Sequence, residues 1–185
     1  ACGITGVGRL PEPEAIVDWL ESKMCSTNEL EGTTILVTAG GTQESIDPVR
    51  YIGNRSSGKM GYAIAEQAVR MGAKVILVSA PTSLPIPSGV DFISVDSAVS
   101  MQEAVEARYN DVNVVIMAAA VSDFRVLHKA EQKIKKMESM TIELVKNPDI
   151  LQGLGSKKNH QILVGFAAET EHVIKYGQDK VARKN

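Results

Sequence analysis

The chain has 185 residues, 44% of them hydrophobic, and a formal net charge of −2. That length fits one domain, or one domain with a tail, and leaves enough apolar residues for a sizeable core. The charge argues against general nucleic-acid binding, which needs a basic face. No apolar run approaches membrane-spanning length, and no charged-apolar-cleavage pattern opens the chain. Cys2 and Cys25 lie far apart in no CxxC pattern, which reads as free thiols in a reducing cytoplasm.

Residues 1–32 differ in character from the rest. Gly3, Gly6, Gly8, Pro11 and Pro13 make an irregular start. Glu14 to Met24 reads as a short helix with Ile16, Leu20 and Met24 on one face, and Trp19 and Met24 are expected to pack it onto the main domain. Asn28 to Gly32 reads as a linker, so the expected organisation is 1–32 followed by a domain over 33–185. The chain opens on Ala1 rather than Met and stops at Lys184-Asn185, which suggests a piece of something longer.

From Thr33 onward, strands and helices alternate. Ile35 to Ala39 is a continuous apolar strand of the kind buried on both faces of a parallel sheet. Lys59 to Met71 is expected to be helical, with Met60, Ile64, Ala68 and Met71 on one stripe and Gly72 as its stop. Strands are expected at Lys74 to Ser79, Asp91 to Val95, Val112 to Ala119, Met140 to Val145 and Gln161 to Ala167. Three prolines exclude helix or central strand from Pro81 to Gly89. Further helices are expected over Ser100 to Tyr109, from Asn147-Pro148 onward, and over Thr170 to Lys184. The alternation predicts a doubly wound, Rossmann-like α/β fold: a parallel sheet with helices on both faces. Ligands of such folds bind at the carboxyl ends of strands, where strand order reverses. The Gly40-Gly41 loop, Ala119 to Asp123, and Phe166 to Glu169 all follow strands and should converge there.

Two polar islands stand at these strand ends. The first is Thr38-Ala-Gly-Gly-Thr-Gln-Glu44 with Tyr51-Ile-Gly-Asn-Arg-Ser-Ser-Gly-Lys-Met-Gly61. Gly40-Gly41-Thr42 lacks dinucleotide-fingerprint spacing, and alone it reads best as a tight turn. Gly53 to Lys59 has the GxxxxGK spacing of a P-loop, but Met60 stands where Ser or Thr must hold magnesium. A Walker-type NTPase is therefore rejected. What survives is an anion site of glycines, hydroxyls and a lysine at a helix start. The second island runs from Ala118-Ala-Ala-Val-Ser-Asp123 through Lys133-Ile-Lys-Lys136 to Lys146-Asn-Pro-Asp149. Singly, these are a loop, a solvated basic turn and a helix cap. Together they place lysines and carboxylates where the fold puts its ligand. A nucleoside triphosphate, with roughly four charges to neutralise, suits such a place. His128, His160 and His172 show no metal-ligand spacing. Tyr176 and Lys180 match the YxxxK pair of short-chain NAD(P)-dependent oxidoreductases, which is carried as the rival reading despite Gly177 inside it.

Read in order, VTAGGTQESIDPVRYIGNRSSGKMG, AAAVSDFR, KIKK, LVKNPDIL, VGFAAET and the terminal Lys180-x-x-x-Lys184-Asn185 resemble phosphopantothenoylcysteine synthetase over roughly residues 34–185. The resemblance implies a ligase of coenzyme A biosynthesis that joins 4′-phosphopantothenate to L-cysteine. It implies CTP as co-substrate, as in bacterial fused forms, with magnesium accompanying the triphosphate. Ala1 to Pro13 looks like the tail of the flavin-dependent decarboxylase that commonly precedes this enzyme. FMN would then belong to that absent domain, and Cys2 would match its proton-donor cysteine, orphaned here. Carried over by motif, Asn54 would hold the acyl-phosphate intermediate and Lys133 would neutralise phosphate charge. Gly40, Gly41, Ser56, Ser57 and Gly58 would sit against phosphates. Met117, Ala118, Ala119, Asp123, Lys136, Val145, Lys146, Asn147, Pro148, Phe166, Lys180 and Lys184 would complete the nucleotide pocket with Lys133. The family continues beyond Lys184-Asn185 into segments that help form a homodimer. Metal ligands cannot be assigned from the spacing. Neither nucleic acid nor membrane is an expected partner.

Overall fold

A computed structural model of the chain describes residues 12–13, 16–17, 19–20, 27–136 and 138–166. The expected helix over 170–184, most of the one over 14–24, and Cys2, Cys25, Tyr176, Lys180 and Lys184 lie outside these residues.

Strands β1 (Thr34–Ala39), β4 (Lys74–Ser79), β5 (Val90–Ser94), β6 (Val114–Met117) and β9 (Ile162–Gly165) form one parallel sheet in the order β5-β4-β1-β6-β9. The order runs outward from β1 through β4 and β5, then returns to β6 and β9, so the reversal lies between β1 and β6. The period-two alternation of side chains decides the layers. Ile35, Val37, Ala39, Val75 and Leu77 face helix α1 (Lys59–Arg70), meeting Tyr62, Ala65 and Ala68. Leu36, Ile76, Val78 and Val115 face the other way. They pack against Met101 and Val105 of α2 (Ala98–Arg108) and Ile150 and Leu154 of α3 (Ile150–Ser156). Apolar residues on both faces explain why β1 and β4 read as unbroken hydrophobic runs. This is the doubly wound arrangement that the alternation predicts.

Helix ends follow local chemistry. Gly72 follows α1 at φ 90°. Ser97 caps α2 by accepting from Ser100 N–H, and Ser100 Oγ in turn accepts from Ser97 N–H. Helix α3 starts two residues beyond the expected Pro148, because Asp149 is its cap and accepts from Gln152 N–H at 3.0 Å.

At the amino-terminal edge of the sheet, Asn113 ties three segments together. Its Oδ1 accepts from Thr34 N–H at 2.8 Å, its N–H donates to Thr34 O, and its carbonyl accepts from Ile162 N–H.

Two antiparallel hairpins depart from the expected pattern. β2 (Gln43–Ser45) pairs with β3 (Tyr51–Gly53), and β7 (Phe124–Val126) pairs with β8 (Leu144–Lys146). These strands have three residues each, too few to show an alternation in the sequence. The expected strand Met140 to Val145 is thus displaced to Leu144–Lys146 and stands outside the main sheet, since β9 occupies the place beside β6.

Leu36 is fully buried between β1's neighbours and the α2–α3 layer. Leu36→Ala should cost about 2–5 kcal/mol in urea unfolding. Ile86→Ala, at a residue 54% exposed, should stay within about 0.5 kcal/mol.

Candidate functional site

The strand-order reversal is where the two polar islands meet. Beyond the end of β1 and β6, the chains continue side by side. Ala120 N–H donates to Gly40 O at 2.8 Å, Thr42 N–H donates to Ala120 O at 3.2 Å, and Gly41 bridges Ala120 in parallel. Two fully buried hydroxyls of the β1 segment reach across. Thr38 Oγ1 accepts from Ala119 N–H at 3.1 Å and lies 3.9 Å from Met117 Sδ. Thr42 Oγ1 accepts from Ser122 N–H at 2.9 Å. Met117, Ala118 and Ala119 are therefore placed by β1 as well as by their own strand. Phe166 follows β9 directly and is 52% exposed, beside the end of β6.

Asn54 enters this region from the β2–β3 hairpin. Its Nδ2 donates to Val121 O at 3.1 Å while the residue remains exposed. The segment that follows lies on the Gly40-Gly41 turn. A Cβ on Gly41 would stand 2.8 Å from Asn54 O, closer than any side chain can approach. Gly58 precedes α1 with φ 73°, and a Cβ there would stand 2.6 Å from Thr82 Cγ2. These glycines thus permit close backbone approach within the chain, whatever else they touch. Ser56 Oγ accepts from Gly58 N–H at 3.3 Å and Ser57 Oγ from Lys59 N–H at 3.5 Å, so both hydroxyls stand at the start of α1. A cleft of ≈ 510 Å³ opens here, lined among others by Gly41, Thr42, Asn54, Arg55, Ser56 and Thr82. A second groove, of ≈ 780 Å³, runs along the flank of α1 beneath Trp19 and the 84–88 loop, away from the strand ends.

On the opposite side, Asn147 is buried and spends its side chain on structure. Nδ2 donates to Ser122 O at 2.8 Å, Oδ1 accepts from Arg125 Nη1 at 3.2 Å, and the backbone N–H donates to Asp123 O at 2.7 Å. Val145 and Lys146 lie on β8 and half-buried Pro148 follows, so this segment borders Asp123, whose carboxylate is exposed. Among the described residues, Ser122 Oγ is buried without a hydrogen-bond partner.

Lys133 and Lys136 stand exposed on the long connection between β7 and β8. What fixes that connection is a pair of residues the sequence reading left unassigned. Asp47 lies at the tip of the β2–β3 hairpin with a fully buried side chain. Its Oδ1 accepts from Val49 and Arg50 N–H, at 2.8 and 2.9 Å. Its Oδ2 accepts from Arg50 Nε at 3.0 Å, from Arg50 Nη2 at 2.5 Å, and from Ile134 N–H at 3.1 Å. Arg50 Nη2 also donates to Ile134 O at 2.8 Å, and Ala130 N–H donates to Ile46 O. Burial alone would raise the Asp47 pKa, but these donors outweigh it and hold the carboxyl well below the usual carboxylate range. Glu44, also buried, accepts from Ala98 N–H at 2.9 Å and fastens the hairpin to the start of α2. The sequence signal for Asp47 was the Asp47-Pro48 turn; nothing local indicated a partner 87 residues away.

The structure therefore brings Asn54, the Gly40-Gly41 turn, Ala118 to Asp123 and Asn147 into one network, and ties the Lys133 connection to the same hairpin. Cys2, Lys180 and Lys184 lie outside the described residues, as does Tyr176 of the rival reading. Among the described residues, no group of three or more His, Cys, Asp or Glu could hold a metal ion, and no helix is long and apolar enough to cross a membrane.

The family described as "DNA/pantothenate metabolism flavoprotein C-terminal domain" matches residues 30–185. The "Coenzyme A biosynthesis bifunctional protein CoaBC" of Bacillus subtilis (strain 168) is 50% identical over 189 residues, covering 100% of this chain and 47% of that protein. Its counterpart in Escherichia coli (strain K12) is 47% identical over 190 residues, with the same coverage of 100% and 47%. The chain thus spans about half the length of the curated relatives it matches. A crystal structure of the C-terminal domain of a CoaBC protein superposes with a TM-score of 0.77 at 50% identity, covering 86% of this chain and 76% of that one.

The folded chain holds Asp47 ionised more firmly than the unfolded chain does. That contribution is fully present above the unfolded value of about 3.9 and is lost as pH falls toward the lower folded value. In urea unfolding, the stability gap between the wild type and Asp47→Asn should hold steady above about pH 5 and narrow below about pH 4. A gap that is the same at both ends of that range would contradict the assignment.

Proposed function

Because the chain belongs to the family of DNA/pantothenate metabolism flavoprotein C-terminal domains, we propose that it is a phosphopantothenate–cysteine ligase, the synthetase part of a bifunctional coenzyme A biosynthesis protein. The observation that carries the reading is the Asn54–Val121 contact. It joins the two motif-bearing loops at the strand-order reversal, where an α/β sheet presents its ligand. The relatives named above are bifunctional proteins of coenzyme A biosynthesis, and their resemblance supports the ligase over the oxidoreductase alternative.

A carboxylate is a poor electrophile toward an amine, so it must first be activated. In this reading, a carboxylate oxygen of 4′-phosphopantothenate attacks the α-phosphorus of CTP. The bond to the β-phosphate oxygen breaks and pyrophosphate leaves. The L-cysteine amine then attacks the acyl carbon, the C–O bond to the cytidylate breaks, CMP leaves, and the nitrogen loses a proton. Charge grows on phosphate oxygens in the first step, and Lys133 is the cation to meet it. Asn54 is exposed beside the cleft and already hydrogen-bonded through one amide proton. It would hold the acyl phosphate through its remaining amide group while the amine arrives. The hydroxyls of Ser56 and Ser57 at the start of α1 suit phosphate oxygens. Magnesium is expected to accompany the triphosphate, whose oxygens are donors of the kind it takes. CTP over ATP rests on resemblance to the bacterial fused proteins.

The relatives align over the whole chain, including the part ahead of residue 30. This supports reading 1–32 as the end of a preceding decarboxylase domain, with FMN and the role of Cys2 belonging there. A homodimer and a cytoplasmic setting complete the proposal.

Calorimetric titration with CTP, ATP and NADPH in the presence of magnesium should give clear preference for CTP. Preference for ATP would keep the ligase and change its nucleotide, whereas binding of NADPH alone would sink the ligase reading. In the full-length protein, Asn54→Ala should leave CTP binding nearly unchanged and lower amide formation by about 10²–10³-fold, with acyl-cytidylate accumulating or decaying. Lys133→Gln should instead block pyrophosphate release, by about 10²-fold or more.

A further inference from the structure

The connection between β7 and β8 covers residues 127–143, and its described residues form no helix or strand, yet it carries Lys133. A lysine on a loose connection would be a poor instrument for a charge that appears only in passing, because its own placement would cost entropy at each turnover. The described anchors of this connection are few. Leu127 N–H donates to Glu143 O beside the β7–β8 pairing, and the other hydrogen bonds of its described residues go to residues 46–50 of the β2–β3 hairpin. Both backbone groups of Ile134 are taken: its N–H by Asp47 Oδ2 and its carbonyl by Arg50 Nη2. The Lys133–Ile134 peptide plane is thereby oriented from the hairpin. No ion pair holds the Lys133 side chain among the described residues, so what the hairpin fixes is the backbone from which that side chain springs.

We propose that Asp47 is a positioning residue for the ligase reaction: through Ile134 N–H and Arg50 it fixes the backbone that presents Lys133 to the reacting phosphate. This rests on the functional reading of Lys133 given above. The same hairpin delivers Asn54, so one rigid element sets the spacing between the group that serves activation and the group that serves amide formation.

The two oxygens of Asp47 do separate work, which gives a selective test. In Asp47→Asn, Oδ1 can still accept from Val49 and Arg50 N–H and keep the turn. The new amide NH₂ would face Ile134 N–H and the Arg50 guanidinium, donor against donors. In the full-length protein, Asp47→Asn should fold and lower kcat for pyrophosphate release by about 10²-fold, the scale of a misplacement near 1 Å. KM for CTP should change by no more than about threefold. In the Lys133→Gln background, the same substitution should add less than about threefold, because the residue it positions is gone. Multiplicative losses would mean that Asp47 acts independently of Lys133 and would overturn the proposal. Wild-type release in Asp47→Asn, with Lys133→Gln blocked, would overturn it while sparing the ligase reading. Normal release in Lys133→Gln would remove both the role of Lys133 and this inference. Should Asp47→Asn fail to fold, Arg50→Lys provides the same comparison. It keeps the charge beside Asp47 but cannot span Asp47 Oδ2 and Ile134 O together. It should show the same non-additive loss with Lys133→Gln, and a multiplicative loss would again overturn the proposal.

Discussion

The site depends on two strands that do not stop pairing when they leave the sheet. Past Ala39 and Met117, the chains remain hydrogen-bonded through Gly40, Ala120 and Thr42. In an open α/β sheet, the strands on either side of the order reversal send their connections in opposite directions, and a crevice opens between them. Here the floor of that crevice is backbone held by backbone. The buried hydroxyls of Thr38 and Thr42 close it further by accepting from Ala119 and Ser122. A segment of three alanines and a valine has no side chain with which to fix itself, so its order comes from β1 across the gap.

Everything else is hung from this floor. Asn54 rests on Val121, and Asn147 rests on Ser122 and Asp123. The β2–β3 hairpin leaves the end of β1 and is fastened by two buried carboxylates, Glu44 to the start of α2 and Asp47 to the Lys133 connection. Buried carboxylates are tolerable because each accepts backbone or guanidinium donors. In this arrangement charge buried in the framework fastens a connection that carries exposed lysines.

The sheet, its two covered faces and the convergence of the loops after β1 and β6 were legible because they rest on hydrophobic period and strand length. Ile35 to Ala39 and Lys74 to Ser79 could hardly be anything but buried strands. The hairpins were not legible. Gln43–Ser45 and Phe124–Val126 are only three residues each, and their pairing is settled by partners elsewhere in the chain. For the site, Asn54 and Lys133 stood out as residue types in matched motifs. Asn147 also stood out, yet the structure gives its side chain to Ser122 and Arg125. Asp47 and Arg50 carried no assignment of their own inside the matched motif, since their contacts run to Ile134, far away in sequence and adjacent in space. Local pattern brings out groups in recognisable motifs more readily than the distant groups that hold them in place.

The opposite edge of the sheet has a different character. There, Asn113 gathers the starts of β1, β6 and β9 through short contacts that involve none of the residues at the crevice. The sheet and the helices packed on its two faces lie between this rim and the crevice. A probe attached at exposed Asn159, on the turn that enters β9, would ride on the quiet rim. It could follow rotation or association of the molecule from the side away from the crevice.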